Sequence, residues 1–156
     1  MISTGLGEAL LIHEKRILGI DYGTRRIGIS LSDPLQIIAQ PFDTLSNDKL
    51  SVRRICEIVE KEAVDVVVVG MPFNLKGEKG QKAQEVERFI ELLKGAMSAE
   101  IVSWDERFTT TIAHQTMRNM GTKREERRTN KGRIDAMAAA ILLQSYLDSR
   151  KRSLSC

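Results

Sequence analysis

The chain has 156 residues, 42% of them hydrophobic and 29% charged, with a net charge of +3. That suits one globular domain with an ordinary core, and the 4% aromatic content argues against a surface of base-stacking platforms. Two cysteines exclude a disulfide scaffold, and no apolar run nears the roughly 20 residues a membrane helix needs.

Residues 1–15 carry one short apolar patch, Ala9–Ile12, without the basic start and long apolar stretch of a secretory signal. They are set apart as an N-terminal extension, and a cytoplasmic, non-membrane protein is expected. Leu18–Ile20 is β-compatible, and Ile27–Leu31 alternates apolar and small residues. Separated by a turn-rich segment with Gly23, the two read as a hairpin. Leu35–Ala39, before Pro41, reads as a third strand at the sheet edge, where proline is tolerated.

From Asn47 the period becomes helical: Val52, Ile55, Ile58, Val59 and Ala63 form a stripe, with Asn47 or Asp48 as N-cap. Cys56 falls inside that pattern and reads as a small buried hydrophobe. The β-branched run after Val64, closed by Gly70, predicts a strand buried on both faces. Gly80–Gly95 returns to helix, with Val86, Phe89, Ile90 and Leu93 on one face and Gly95 as its stop. Glu100–Trp104 predicts a short strand, Thr109–Met120 a helix, and Ile134–Leu147 the most hydrophobic helix. The order β-β-β-α-β-α-β-α-α indicates an α/β domain over residues 16–148, a mixed sheet flanked by helices. Residues 149–156 form a basic tail. Positive charge gathers in that tail and in Gly121–Arg133, where six basic residues face two glutamates, a distribution that suits a polyanionic partner.

Acidic residues interrupt the apolar pattern at three places. Asp21 ends the first strand, Asp105 and Glu106 end the last, and Asp135 opens an otherwise uncharged helical stretch. Parallel neighbouring strands would bring Asp21 and the Asp105/Glu106 pair to one sheet edge, where open α/β sheets bind ligands. Asp135 joins them only if its helix packs across the sheet. It could equally cap that helix, and Asp21 could merely open a turn. Strand alternation turns Asp105 and Glu106 to opposite faces and does not choose between them. Clustered carboxylates repel unless a hard divalent cation such as Mg²⁺ or Mn²⁺ neutralises them. Two such ions about 4 Å apart can clamp a phosphodiester.

Four segments in order resemble one family: Gly19–Ser30, Val69–Gly77, Trp104–Thr110 and Asn130–Ala139. The chain resembles the YqgF/RuvX family, of ribonuclease H-like fold and associated with nuclease activity, over roughly residues 16–147. The resemblance implies a five-stranded mixed sheet and two-metal hydrolysis. It implies Asp21, Glu106 and Asp135 as catalytic and metal-holding residues, favouring Glu106 over Asp105. It also brings Thr24 and Asn74 to the cleft, with Arg25 and Arg107 beside these motifs. Lys123, Arg124, Arg127, Arg128, Lys131 and Arg133 complete the expected nucleic-acid contacts, which position phosphates without reading sequence.

Family members are associated with processing the 5′ end of pre-16S rRNA, and by likeness to RuvC-type enzymes have been proposed as Holliday junction resolvases. An rRNA precursor is therefore the favoured partner, with ribosomal assembly intermediates behind it and branched DNA as the alternative. A catalytically idle assembly factor is a further alternative, which retention of the three acidic positions disfavours. An actin- or sugar-kinase-like ATP-binding protein would share the Asp21–Thr24 pattern, but it needs a second subdomain and a second glycine-rich phosphate loop that this chain does not supply. No long heptad is present, so a monomer or weak homodimer is expected.

Overall fold

The structure, a computed structural model, describes residues 15–73, 76–109 and 131–155, with the side chains of 131 and 152–155 outside the description. The expected helix over 109–120 apart from its first residue, Asn74, Lys123, Arg124, Arg127, Arg128 and nearly all of the N-terminal extension lie outside the described residues. Five strands form one sheet: β1 (Arg16–Tyr22), β2 (Arg26–Ser32), β3 (Ala39–Ser46), β4 (Val64–Met71) and β5 (Glu100–Asp105). Their order is β3-β2-β1-β4-β5. β1 to β3 form an antiparallel meander, whereas β4 and β5 run parallel to β1. This is the five-stranded mixed sheet that the resemblance implies.

The strand periodicity sorts the two faces. Leu18, Ile20, Ile27, Ile29, Val67 and Val69 pack with α1 (Ser51–Lys61) and α2 (Gln81–Ala96) into the larger core. The alternate positions include the small residues Gly19, Gly28, Ser30 and Gly70, and against them lies α3 (Lys131–Ser155). A Cβ at Gly28 would stand 1.9 Å from the Asp135 carbonyl oxygen, and one at Gly19 would stand 2.8 Å from Leu143 Cβ. Bare backbone at both positions is what lets α3 lie so close. Ser30 Oγ completes the seat by donating to the Ala139 carbonyl at 2.7 Å. Burial of Ala136, Ala139, Ala140, Leu143 and Leu147 repeats at helical spacing along the face that meets the sheet. α3 runs on past Leu147 to Ser155, and Arg150 donates from Nη1 to Gln36 Oε1 at 3.1 Å. The basic residues after 148 thus continue a helix.

Five local expectations differ from the structure. The third strand spans Ala39–Ser46 rather than Leu35–Ala39. Asp33 captures the N–H groups of Leu35, Ile37 and Ile38, so this apolar stretch becomes a side-chain-bonded loop. β3 is an edge strand and carries Pro41 beside a break in its pairing with β2.

Neither Asn47 nor Asp48 caps α1. The N-cap is Leu50, while Asp48 accepts from the Leu50 N–H in the preceding turn and Asn47 Nδ2 donates to the Gly23 carbonyl. Ala63 does not continue the α1 stripe; it sits exposed after the helix at φ 54°. Gly95 lies inside α2, which stops one residue later. Cys56 is half-buried, its thiol near the Ala96 carbonyl. Among the described residues, no helix is long and apolar enough to cross a membrane.

Candidate nuclease site

Strand direction decides which groups can meet. β1, β4 and β5 are parallel neighbours, so Asp21 and Glu106 both lie at the carboxyl-terminal edge of the sheet. Asp21 shares its face with Gly19 two residues earlier, and its strand partner is Gly28, on which Asp135 sits. Gly70 opens on the same face, where a Cβ would meet Glu106 Oε1 at 2.8 Å and Leu142 of α3 at 2.9 Å. Asp21, Glu106 and the Asp135 turn of α3 therefore converge on one side of one edge. Helix packing across β1 and β2, the condition for Asp135 to join, is met.

The structure separates Asp105 from Glu106. β5 ends at Asp105, and Glu106 opens a 3₁₀ turn, Glu106–Phe108. Asp105 caps that turn by accepting from the Arg107 N–H at 2.9 Å, and it accepts from Arg107 Nε and Nη2 as well. The Arg107 side-chain hydrogen bonds hold the Asp105 carboxyl below the usual carboxylate range. Asp105 is thus committed to Arg107, whose guanidinium also lies 5.3 Å from the Phe73 ring centre. Glu106 is turned toward Gly70 and the cleft.

Asp21 is electrostatically unusual. Burial and then the neighbouring Glu106 push its carboxyl up to about 7; Lys82 opposes the shift and Asp135 adds to it. A cavity of about 360 Å³ opens here, lined by Asp21, Glu106, Lys82, Arg107, Phe73 and Leu142 among others. A larger open depression of about 940 Å³ between α2 and β5 holds none of the three carboxylates. Asp135 stands outside the lining of the smaller cavity, its Oδ2 accepting from Arg26 Nε at 2.6 Å. Among the described residues, no three Asp, Glu, His or Cys side chains converge closely enough to hold one ion as they stand.

Of the expected nucleic-acid contacts, Thr24 and Arg25 are exposed on the β1–β2 turn, and Arg133 is exposed on the first turn of α3. Lys131 begins α3, and Arg107 borders the cavity while bound to Asp105. Sequence reasoning missed Arg26 and Lys82. Lys82 falls on the polar side of the α2 pattern, beside the alanine that opens its buried stripe, which could have placed it near the strand ends. Arg26 carried no local signal, because its partner is 109 residues away.

The RuvX family model, described as a Holliday junction resolvase, matches residues 15–149. The chain belongs to the RuvX family. A relative from Ruminiclostridium cellulolyticum, named "Putative pre-16S rRNA nuclease", is 42% identical over 136 residues, covering 85% of this chain and 94% of its own. A relative of the same name from Acetivibrio thermocellus is 41% identical over 143 residues, covering 89% and 99%. Among solved structures, Thermus thermophilus RuvC in complex with a Holliday junction substrate has a TM-score of 0.57 at 14% identity, covering 89% of this chain and 97% of that one. The fowlpox virus resolvase, also solved with Holliday junction DNA, has a TM-score of 0.53 at 14% identity, covering 86% and 98%. These neighbours give the RuvX chain the ribonuclease H-like fold of RuvC-type resolvases.

Proposed function

We propose that the chain is a metal-dependent endonuclease, a cytoplasmic enzyme that hydrolyses phosphodiester bonds in pre-16S rRNA. The observation that carries the reading is the Asp21–Glu106 pair. Two carboxyl groups stand together at one strand edge, and the charge of one is opposed by burial and by the other. Such a pair is costly without a cation, and its oxygen-only chemistry fits Mg²⁺ or Mn²⁺.

Asp21 and Glu106 would hold the ion between them, and Asp135 would add a third carboxylate from the α3 side. Bound there, one or two divalent ions would make water nucleophilic at neutral pH and neutralise charge on the phosphate. The remaining work falls to the chain itself. Lys82 adds positive charge to the cavity wall, against which a phosphodiester can sit. Arg107, fixed by Asp105 and Phe73, borders the same wall. Thr24, Arg25 and Arg133 flank the edge and would track the backbone of a bound strand, as would Asn74 and the basic residues Lys123, Arg124, Arg127, Arg128 and Lys131.

The rRNA substrate is taken from the names of relatives about 40% identical over most of the chain. The description of the family model favours a second reading, cleavage of a DNA four-way junction. A junction resolvase needs a symmetric dimer to cut two strands, whereas the rRNA reading is met by a monomer or weak homodimer. Incubating the protein with precursor rRNA and with a four-way junction, each with Mg²⁺ or Mn²⁺, separates the two. Cleavage of the rRNA near its mature 5′ end and not of the junction is expected. Junction cleavage alone would reverse the substrate assignment, and cleavage of neither would overturn the nuclease reading.

A further inference from the structure

Arg26 opens β2 at the sheet edge that carries Asp21 and Glu106. Its Nε donates to Asp135 Oδ2 at 2.6 Å, so the planar guanidinium is held at one corner. Its two Nη groups have no hydrogen-bond partner among the described residues, and 40% of the side chain remains exposed, against 28% for Asp135. On the other side of the pair, Asp135 Oδ1 accepts no hydrogen bond among the described residues. Arg107, across the cleft, is the contrast: its Nε and Nη2 are both spent on Asp105. Arg26 is therefore a cation held by one carboxylate through Nε, with 40% of its side chain exposed, next in sequence to the exposed Thr24 and Arg25.

We infer that Arg26 is both a phosphate contact and a positioning residue of this site: Nε fixes the Asp135 carboxylate while the Nη edge donates to a phosphate of the bound strand. The inference rests on the nuclease reading above and adds to it a residue that couples substrate to a carboxylate. The guanidinium suits this double task because it offers donors in a rigid fork, so one edge can be anchored while another meets an anion. A lysine ammonium is a single point of charge on a flexible stem and cannot hold both partners in a fixed relation. Orientation of a metal-holding carboxylate by such an outer partner is the usual way that ligand geometry is set.

The test compares wild type with Arg26→Gln and Arg26→Lys in two assays on the full chain. The first is binding of a labelled single-stranded RNA oligonucleotide without divalent metal, across a salt series. The second is kcat and KM for RNA cleavage with Mn²⁺. Arg26→Gln should lower the salt slope by about 0.7, the loss of one phosphate contact on a single strand, and should lower kcat about 10–100-fold. Arg26→Lys should restore the salt slope and leave kcat low. That split separates this role from a structural ion pair, which would leave the slope unmoved, and from a simple phosphate contact, in which lysine would restore both.

An unchanged slope in Arg26→Gln overturns the phosphate contact, and full recovery of kcat in Arg26→Lys overturns the positioning role. Thermal unfolding of both variants shows whether a lost kcat reflects a lost fold; a cooperative transition near that of wild type is expected. If wild type neither binds nor cleaves the RNA, the nuclease reading itself fails. If wild type does both and the variants match it, only the role of Arg26 fails.

Discussion

Replacing Asp21 with asparagine should abolish cleavage and, in the same protein, stabilise the metal-free fold. Both effects come from one buried carboxyl whose proton affinity is raised from 3.8 to about 7, first by burial and then by Glu106. Below about pH 4 the group is protonated in both folded and unfolded chains, and its contribution to stability is fully present. As pH rises further, the unfolded chain has released a proton that the folded chain still holds, so stability falls until the folded group also ionises at about 7. A displacement of about three units at about 1.4 kcal/mol each gives a loss of up to about 4 kcal/mol across that window. For a chain of this length that corresponds to roughly 8–16 °C in Tm. The assay is thermal unfolding followed by circular dichroism in the presence of a chelator, from about pH 4 to about pH 8, for wild type and Asp21→Asn. The difference between the two curves should open with rising pH, the variant being the more stable at the alkaline end. Adding Mn²⁺ at that end should raise the wild-type Tm and leave the variant nearly unmoved. Parallel pH curves for the two proteins would refute the reasoning.

Four further outcomes follow from packing, charge and local geometry. Gly28→Ala would drive a methyl group into the Asp135 carbonyl, so it should cost about 1–3 kcal/mol by overpacking and lower cleavage by displacing Asp135; denaturant unfolding and a cleavage assay check both. Glu106→Gln should lower cleavage on the order of 100-fold or more through loss of charge at the site and ease the ionisation of Asp21. Asp105→Asn should leave most activity in place, since that carboxyl serves Arg107. Equal losses in the two variants would contradict the division of labour. Ala63→Gly should stabilise by about 1 kcal/mol, because Ala63 adopts a left-handed conformation that costs an L-residue about that much; a higher midpoint in urea is the readout.

The two-residue alternation of β2 and the β-branched run of β4 named their strands directly, and the Val86–Leu93 spacing named α2. The edge strand β3 was harder. It is exposed along most of its length, and the apolar residues before it are held in a loop by side-chain hydrogen bonds, chiefly from their N–H groups to Asp33. Capping was misread for the same reason: Asp48 satisfies a turn ahead of α1, a choice between near-equal local partners that tertiary packing makes. In the site, Asp21 was legible because it interrupts the apolar run of the first strand, which ends one residue later at Tyr22. Asp135 was not, because its association with the sheet depends on how closely α3 approaches. The glycines at 19 and 28, both on the alternate positions of the hairpin, were the available signal for that approach. The choice of Glu106 over Asp105 depended on a strand ending one residue later than expected and on Arg107 engaging its neighbour. Neither feature has a signature in spacing alone.

The central claim is that phosphodiester hydrolysis occurs at the edge shared by Asp21, Glu106 and Asp135. It is tested most directly by measuring cleavage of precursor rRNA under single-turnover conditions with Mn²⁺ for wild type, Asp21→Asn, Glu106→Gln and Asp135→Asn, each shown to be folded. Cleavage that requires the metal and is lost in all three variants is the predicted result. Metal-independent cleavage, or wild-type rates in Asp21→Asn, would contradict it.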